Sequence, residues 1–253
     1  MTSTIHPDLE NAPVFISGGG SGIGAALTEG FLRQKARVAF IGRSDYSGFV
    51  DEMEEKTDNR PLFIQCDATD IPALEAAMDE AAARHGGLRV VVNNAANDQR
   101  YDIADITPEI WDEMLAVNLK QYFFACRKAM ALMENGGSIV NYTSTAYMLH
   151  VPRLAPYVAG NAGIMGLTRN MAQELGQRGI RINAIAPGWV MTEKQLEKWA
   201  SEEDLEARKD QQSIPELMQP ADMVGPTLFL ASDASRMMTA QVIAVDGGVV
   251  FTG

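Results

Sequence analysis

A hydroxyl, a phenol and an amide lie close together in the middle of the chain, at Ser144, Tyr157 and Asn161. Tyr157 starts a run of small residues that predicts a helix, and Asn161 follows one helical turn later on the same face. A phenol has a reference pKa of about 10 and can act as a general acid or base when its surroundings lower that value. We therefore predict a proton-transfer site at this corner, with Asn161 deciding how well it works.

A predicted strand, a glycine-rich turn and a predicted helix follow one another near the start of the chain. Residues 14–17 form the strand, and the helix after the turn carries Leu27 and Phe31 on one face. This layout presents backbone N–H groups and a helix N-terminus to a pyrophosphate, and a Cβ in the turn would keep the phosphates away. The residues predicted to cradle a dinucleotide are Gly18, Ser21, Gly22, Ile23 and Gly24.

The end of the second predicted strand, residues 37–41, bears on the choice of dinucleotide. A NAD-binding unit carries Asp or Glu about 20 residues past the glycines, where the carboxylate binds the ribose hydroxyls. Arg43 and Ser44 occupy that place here, which favours a 2′-phosphate and hence NADP, with NAD as the second choice. The alternative is that Arg43 is a solvated loop residue and that Asp45 reaches the ribose.

The third predicted strand, residues 61–65, leads to Asp67 and Ala68. Ligands of open α/β sheets bind at the carboxyl ends of the strands, so we expect these two residues beside the cofactor. Asp67 could accept a hydrogen bond from an adenine amino group, or it could merely cap the helix that begins after Asp70.

The remaining predicted strands cover residues 88–92, 138–142, 181–185 and 242–245, and helical segments separate them. Thr107 and Pro108 predict the start of a long helix that continues toward Met133. Asn118 lies among its apolar positions, where a buried amide must find hydrogen-bond partners. The alternation of strands and helices predicts an α/β fold with a Rossmann-type doubly wound parallel sheet.

The chain is predicted to form a single domain over residues 13–253, preceded by a polar N-terminal tail at residues 1–12. Within the domain, residues 190–218 are charged and only weakly amphipathic over most of their length. A helical flap over the substrate cleft accounts for this segment, and so does a plain pair of solvated helices.

The composition excludes several classes of function. The net charge of −12 argues against binding to nucleic acid or to an anionic membrane surface. Cys66 and Cys126 show no C-x-x-C spacing, which predicts buried thiols in a reducing compartment, and three scattered histidines make a metal site improbable. The N-terminus lacks signal-peptide features, and no apolar run approaches the roughly 18 residues of a membrane span. We therefore predict a cytoplasmic protein with no metal, nucleic-acid or membrane partner.

Over essentially its whole length the chain resembles the short-chain dehydrogenase/reductase family. The motifs that carry the resemblance are Gly18-x-x-x-Gly22-x-Gly24, Asn93–Asn94–Ala95, Asn118, Ser144, Tyr157, Pro187–Gly188 and Asp246–Gly247–Gly248, and their order and spacing together are specific. The resemblance implies hydride transfer between a nicotinamide cofactor and an alcohol or carbonyl carbon of a small-molecule substrate. It also implies a homo-oligomer, either a tetramer or a dimer.

The same resemblance implies a role for each matching residue. Tyr157 would be the general acid/base, Ser144 would hold the substrate oxygen, and Asn118 would help to order a proton-relay water. The residues that it implies along the cofactor are Asn93, Asn94, Ala95, Asn161, Pro187, Gly188, Val190 and Thr192.

The chain departs from the family at Asn161, where the motif has lysine. In the family the lysine charge lowers the tyrosine pKa and its ammonium binds the nicotinamide ribose, whereas asparagine can keep a hydrogen bond to the ribose but supplies no charge. If the pKa of Tyr157 stays near 10, only about one molecule in a thousand carries a phenolate at pH 7. We therefore predict weak alcohol oxidation at neutral pH that rises toward alkaline pH, with carbonyl reduction less affected.

A narrower resemblance is to the sugar dehydrogenases of this family, which oxidise the C1 hydroxyl of an aldose to a lactone. It is carried by residues 97–100, by Trp189 and by residues 192–195 together with Trp199. The residues expected at the substrate are Asn97, Asp98, Gln99, His150 and Arg153, with Trp189 as an aromatic wall. The alternatives are an Asp98–Arg100 pair on a surface loop, a packing role for Trp189 and a solvent-facing His150.

Other functions stay open at this point. Asn161 allows a working enzyme that uses it for positioning, a catalytically impaired protein that binds nucleotide without turnover, or an engineered variant of an active enzyme. Steroid, acyl-carrier or small-ketone substrates would need a more apolar cleft than these loops predict. A methyltransferase is disfavoured, because nothing in that class requires Ser144 and Tyr157 beside the fifth strand.

Overall fold

Seven parallel strands form one sheet in the computed structural model, which describes residues 4–251. The strands are β1 (Pro13–Ser17), β2 (Arg37–Gly42), β3 (Leu62–Gln65), β4 (Val90–Asn93), β5 (Gly137–Tyr142), β6 (Ile180–Pro187) and β7 (Val242–Val245). Their order across the sheet is β3-β2-β1-β4-β5-β6-β7. This arrangement confirms the predicted α/β fold, a Rossmann-type doubly wound sheet in a single domain.

Helices connect the strands and cover both faces of the sheet. They are α1 (Gly22–Arg33), α2 (Ser47–Thr57), α3 (Ile71–His85), α4 (Pro108–Leu115), α5 (Gln121–Leu132), α6 (Ala155–Gly176), α7 (Glu193–Lys198), α8 (Glu202–Gln211) and α9 (Val224–Ala231). Thr107 caps α4 as predicted, since its Oγ1 accepts from the Ile110 N–H at 3.3 Å. None of the helices between residues 4 and 251 is long and apolar enough to cross a bilayer.

The strand side chains alternate between two hydrophobic cores, one on each face of the sheet. Val14 and Ile16 of β1 enter the core beneath α1 and α9, whereas Phe15 between them enters the core shared with α3 and α5. All three side chains are fully buried. Burial on both faces explains why the strands are continuous apolar runs in the sequence.

The first residues of the described chain pack against this domain. Leu9 is fully buried in the core, and the Asp8 carboxylate pairs with Arg89 at 3.1 Å and accepts from the Asp233 N–H at 2.9 Å. Residues 1–3 of the predicted polar tail lie outside the described residues, as do residues 252 and 253 of the predicted domain.

The strand order reverses beside β1, which pairs with β2 on one side and with β4 on the other. The chain leaves the carboxyl ends of these two neighbouring strands in opposite directions across the sheet. A crevice therefore opens above β1 and β4, at the point where ligands bind in sheets of this type.

The long helix predicted from Thr107 toward Met133 is interrupted in the structure. A wide π-helical turn, Ala116–Lys120, separates α4 from α5. Such turns widen the backbone by one residue and are frequent at functional sites. Asn118 lies at its centre and is almost fully buried.

Two glycines of α6 provide a matched test of this packing. A Cβ on Gly160 would lie 2.9 Å from the Asn118 Cβ and 3.0 Å from its carbonyl oxygen, whereas nothing lies within 4 Å of a Cβ on Gly166. We expect Gly160→Ala to lower the free energy of unfolding by about 1–3 kcal/mol, because the π-helical turn must move. Gly166→Ala should raise it by up to about 1 kcal/mol through helix propensity. Urea denaturation of both variants measures these effects, and a Gly160→Ala protein as stable as the parent would contradict the close approach.

Candidate active site

The carboxyl ends of the strands open into a cavity of about 1010 Å³. Residues that follow six successive strands line it: Gly18, Arg43, Asp67, Asn94, Ser144 and Gly188. The structure also brings to this cavity most of the other residues predicted from the sequence, namely Ser21, Ile23, Gly24, Ser44, Ala68, Ala95, Asn97, Asp98, Tyr157, Pro187, Trp189, Val190 and Thr192. Residues from α7 and α8 close one side.

The glycine-rich turn is held tightly against the end of β4. Gly18 has a φ of +69°, a backbone conformation that favours glycine, and a Cβ on Gly24 would overlap the Gly18 carbonyl group. The Asn94 amide donates to the carbonyl oxygens of Ser17 and Gly18, each at 3.2 Å. Asn94 therefore fixes the turn and lines the cavity at the same time.

The N-terminus of α1 is suited to a phosphate group. Ser21 is the N-cap residue, but its side chain makes no capping hydrogen bond, so the first-turn N–H groups of α1 are available. Gly22 follows with a φ of +52°, and a Cβ there would lie 3.1 Å from Thr192 Cγ2. The cradle without side chains and the free N–H donors fit the pyrophosphate of a dinucleotide.

The end of the cavity beside β2 is lined by Arg43, Ser44 and Tyr46. Asp45, the alternative contact for the ribose, does not line this cavity, and its Oδ1 accepts from the Ser47 N–H at 2.9 Å at the start of α2. Tyr46 was not predicted, yet its ring covers Gly42, where a Cβ would lie 2.5 Å from Cε2.

Asp67 lines the same end but does not cap α3. Asp70 does so, since its Oδ1 accepts from the Ala73 N–H at 3.1 Å. One oxygen of Asp67, Oδ1, accepts from the N–H and the hydroxyl of Thr69, at 2.9 and 2.8 Å. The capping alternative for Asp67 is therefore wrong.

Asn93 does not line the cavity, contrary to what the family resemblance implies. It is the last residue of β4 and is fully buried. Its Nδ2 donates to Oδ1 of Asn141 on the neighbouring strand β5 at 2.8 Å. Side chains of successive strand residues point to opposite faces, so Asn93 turns away when Asn94 faces the cleft.

Ser144 and Tyr157 both line the cavity, and their hydroxyl groups are near enough to interact. Burial raises the pKa of Tyr157 above its ordinary value, hydrogen bonds to Ser144 and Asn161 lower it, and the charge of Asp98 raises it. The Ser144 Oγ accepts from the Ala146 N–H at 3.1 Å, which leaves its own O–H free to donate into the cavity. The pair is arranged for proton transfer, but burial keeps the phenol neutral.

Asn161 is buried behind Tyr157 and does not line the cavity. Its side-chain Nδ2 donates to the Tyr157 backbone carbonyl at 2.8 Å, and its backbone carbonyl accepts from the Thr143 hydroxyl at 2.9 Å. The short amide is thus turned onto its own helix. It acts on Tyr157, but in this position it does not reach toward a ribose.

Asn118 uses both polar atoms of its side chain to hold Asn97. Its Oδ1 accepts from the Asn97 N–H and its Nδ2 donates to the Asn97 carbonyl, both at 2.9 Å. The predicted need of the buried amide for partners is met in this way. The π-helical turn therefore positions the loop that follows β4.

That loop is joined to α7 by a polar network. Asp98 accepts from Lys194 and from Gln195, each at 2.5 Å, and Gln195 Oε1 accepts from the Trp189 indole N–H at 2.7 Å. Lys194 and Gln195 hold the pKa of Asp98 below its ordinary value, although burial opposes them. The alternative of an Asp98–Arg100 pair is wrong, since Arg100 instead stacks on Trp199 at 4.5 Å.

The chain is similar to known proteins over almost all of its length. Residues 18–250 match the family model described as enoyl-(acyl carrier protein) reductase. The chain is 45% identical over 253 residues to a Rhizobium meliloti protein named "Probable galactose dehydrogenase", covering 98% of this chain and 99% of that one. It is 37% identical over 252 residues to a D-xylose 1-dehydrogenase of Caulobacter vibrioides, with coverage of 98% and 99%. A solved short-chain type dehydrogenase/reductase from Mycobacterium ulcerans gives a TM-score of 0.90 at 28% identity, covering 95% and 90% of the two chains.

The chain belongs to the short-chain dehydrogenase/reductase family. It is therefore an NAD(P)-dependent oxidoreductase that acts on CH–OH groups. The family resemblance seen in the sequence is confirmed at this level.

Three residues expected at the substrate of this short-chain dehydrogenase/reductase, Gln99, His150 and Arg153, do not line the cavity. His150 is exposed, and the exposed Arg153 pairs with Asp102, with its Nε 3.0 Å from Oδ1. Arg153 has a φ of +66°, a backbone conformation that is uncommon for a residue other than glycine. The same loop instead lines the cavity with the apolar residues Leu149, Val151, Pro152 and Leu154.

Several residues of the dehydrogenase cavity were missed in the sequence. Those on α8 are Asp204, Ala207, Arg208 and Gln211, which share one helical face. Their spacing was a signal, but the face is polar and resembles a solvated surface. Only the position of α8 over the cleft shows that this face points inward.

Four buried groups and the partly buried Tyr157 give this dehydrogenase a predictable sensitivity to alkali. Burial raises the pKa of Cys66 to about 11 and that of Cys126 to about 12, and it raises the pKa values of Tyr122, Tyr142 and Tyr157. In the unfolded chain thiols ionise near pH 8.5 and phenols near pH 10. Above those values the unfolded state binds fewer protons than the folded state, so stability falls as pH rises.

We expect the free energy of unfolding to decline from about pH 8.5 and to fall more steeply above about pH 10. Urea denaturation in reducing buffer between pH 7 and 11 measures the decline. Cys126→Ala is the matched control, because its stability should fall less steeply than that of the parent between about pH 8.5 and 10. A stability that stays constant up to pH 10.5 would show that these groups are not buried in their neutral forms.

Proposed function

We propose that this enzyme oxidises a hydroxyl-bearing carbon of a sugar or polyol-like substrate, or reduces the corresponding carbonyl, with NADP(H) preferred over NAD(H). The observation that carries the proposal is a polar wall beside Ser144 and Tyr157, made by Asp98, Lys194 and Gln195. Such a wall can exchange hydrogen bonds with several hydroxyl groups, and Trp189 adds an aromatic surface. The relatives named for galactose and D-xylose support the same substrate class.

In the oxidation, the C–H and O–H bonds of the carbinol break and a C=O bond forms. The nicotinamide, when bound, supplies the acceptor for the hydride. Tyr157 removes the hydroxyl proton as phenolate, and Ser144 donates a hydrogen bond to the substrate oxygen, which stabilises its developing charge. In the reduction, the neutral phenol of Tyr157 donates the proton. The residues of the glycine-rich turn and the ends of the strands would hold the dinucleotide.

The proposal places a relay water beside Asn118. The backbone carbonyl of Asn118 lies against Gly160, the residue before Asn161, and a side chain larger than that of glycine would not fit there. Asn118 itself acts mainly as a positioning residue for Asn97, through the two hydrogen bonds between them.

Asn161 contributes to the pH dependence of this reaction. Burial favours the neutral phenol of Tyr157, and the Asn161 amide offsets this only by hydrogen bonding. The pKa of Tyr157 is thus raised, so the phenolate needed for oxidation is scarce at pH 7 and becomes more abundant as pH increases. Carbonyl reduction uses the abundant neutral form and is less affected.

We expect Asn161→Lys to raise kcat/KM for alcohol oxidation at pH 7 by at least about 10-fold, because a nearby cation lowers the pKa of a phenol by about 1–3 units. The pH–rate profile should shift to lower pH by the same amount. Steady-state assays between pH 6 and 10 measure both effects, with circular dichroism confirming that each protein is folded.

Asn161→Met is the matched control, since it lengthens the side chain without adding charge. It should not move the pH–rate profile to lower pH, because it adds no cation and removes the Asn161 hydrogen bond that lowers the pKa of Tyr157. If Asn161→Lys oxidises alcohols at pH 7 no faster than the parent, the missing charge does not limit the reaction.

The preference for NADP rests on the adenosine end of the cavity. Arg43 and Ser44 are exposed there, and within residues 4–251 Arg43 forms no ion pair that would neutralise it. Asp45, the nearest carboxylate in sequence, is engaged at the start of α2. A guanidinium so placed suits the 2′-phosphate.

We expect Arg43→Ala to raise the KM for NADP+ by about 10- to 100-fold, which corresponds to the loss of a charge-assisted hydrogen bond. The KM for NAD+ should change by less than about 3-fold. Initial rates with each dinucleotide at saturating substrate measure the difference. An equal rise for both dinucleotides would assign Arg43 a role other than phosphate recognition.

A second candidate function is nucleotide binding without turnover, either in a natural protein or in an engineered variant of an active sugar dehydrogenase. The buried, uncharged Asn161 favours it. Dinucleotide binding with no turnover for any aldose or ketone, in either direction between pH 6 and 10, would support this candidate.

The proposal includes assembly as a dimer or tetramer in the cytoplasm. Trp111 of α4 and Phe123 of α5 are 38% and 39% exposed, and large exposed apolar side chains on neighbouring helices suit an interface between copies.

A further inference from the structure

Helix α8 presents one charged face to the cavity, and Arg208 is its central member. Asp204, Ala207, Arg208 and Gln211 all line the cavity at helical spacing. Arg208 is partly buried, and its Nη1 donates to Gln211 Oε1 at 3.3 Å.

The guanidinium of Arg208 is incompletely satisfied. Its Nε is buried and has no hydrogen-bond partner, and none of the carboxylates between residues 4 and 251 lies within ion-pair distance. Asp246 is the acidic group that acts on it most, from beyond that distance, and burial lowers the pKa of Arg208. A partly buried cation with an unused N–H donor is costly, since burying a polar group without a partner costs free energy.

The other charges at this end of the cavity are compensated. Asp98 pairs with Lys194 at 2.5 Å, and Arg100 stacks on the Trp199 ring and lies close enough to Asp204 to lower the pKa of that carboxyl. Asp204 also accepts from Ser201 at the start of α8. Arg208 is therefore the cation of this wall that has an unfilled donor and no direct counter-charge.

We propose that Arg208 binds a carboxylate of the substrate, so that the enzyme prefers sugar acids to neutral sugars. This inference rests on the proposed function, because it specifies the substrate class of the same cavity. A guanidinium donates two parallel hydrogen bonds to a carboxylate, and such a ligand would supply the direct counter-charge that Arg208 lacks. The carboxylate takes no part in bond making, since the hydride still leaves from the hydroxyl-bearing carbon and the proton from its oxygen.

A singly charged carboxylate fits the wall better than a phosphate. Glu113 lines the same cavity and carries negative charge, and one guanidinium offsets a single carboxylate better than it offsets a dianion beside that group. The Asp98 carboxylate nearby is already neutralised by Lys194.

Three aldoses that differ only at C6 test the inference. Galactose carries CH2OH there, galacturonate a carboxylate and galactose 6-phosphate a phosphate ester, while the C1 hydroxyl is common to all three. With NADP+ we expect kcat/KM for galacturonate to exceed that for galactose by at least about 10-fold. The phosphate ester should not be preferred to galacturonate, and a preference for it would overturn the assignment to a carboxylate.

Arg208→Gln should lower kcat/KM for galacturonate by about 10- to 100-fold and that for galactose by less than about 3-fold. Arg208→Lys should retain part of the preference, because it keeps the charge but loses the paired donors. Arg178→Gln removes an exposed arginine that does not line the cavity and is the matched control, with no expected change. An equal loss for both sugars in Arg208→Gln would show that Arg208 only supports α8, and would overturn the inference.

The outcomes separate this inference from the proposed function. Turnover of galactose and galacturonate at equal rates refutes the carboxylate preference and leaves the oxidoreductase proposal intact. If no aldose is turned over, the proposed reaction is refuted, and calorimetric titration with each sugar in the presence of NADP+ decides the inference. Tighter binding of galacturonate that Arg208→Gln abolishes supports it, and equal binding of the two sugars overturns it.

Discussion

The parallel pairing of β1 with both β2 and β4 is the constraint on which the rest of the structure depends. It sends the chain in opposite directions from two neighbouring strands and so opens the crevice above them. Asn94 secures this opening by donating to the carbonyl groups of Ser17 and Gly18. The N-cap residue Ser21 makes no capping hydrogen bond, so the backbone N–H groups at the start of α1 are free to face a phosphate.

The chemistry of the cleft depends on a phenol that is buried without a permanent positive charge behind it. Burial and the Asp98 carboxylate both favour the neutral form of Tyr157, while Ser144 and Asn161 oppose them only through hydrogen bonds. Hydrogen bonding to a phenolate stabilises it less than an adjacent cation does in a site of low dielectric constant. The ionisation of this phenol is thereby linked to a single side chain, Asn161, that does not line the cavity.

A continuous set of polar contacts joins the helical core to the substrate wall. Asn118 holds the backbone of Asn97, and Asp98 next to it binds Lys194 and Gln195 of α7. Gln195 in turn accepts from the indole of Trp189. Because these contacts link the π-helical turn to α7, the shape of the substrate end depends on both. Arg208 makes none of these contacts, and its Nε–H has no hydrogen-bond partner among the described residues.

The sequence alone determined the α/β class, the seven strands, the glycine-rich turn and the Ser144–Tyr157 pair, because these depend on local periodicity and on motifs of fixed spacing. It also predicted that Asn161 departs from the family's motif. Only the tertiary structure decided where loop side chains point: Arg153 and His150 turn outward, Asn93 turns beneath the sheet, and Lys194 replaces Arg100 as the partner of Asp98. These outcomes, and the inward face of α8 with Arg208, result from contacts between residues far apart in the chain, for which no local pattern carries a signal.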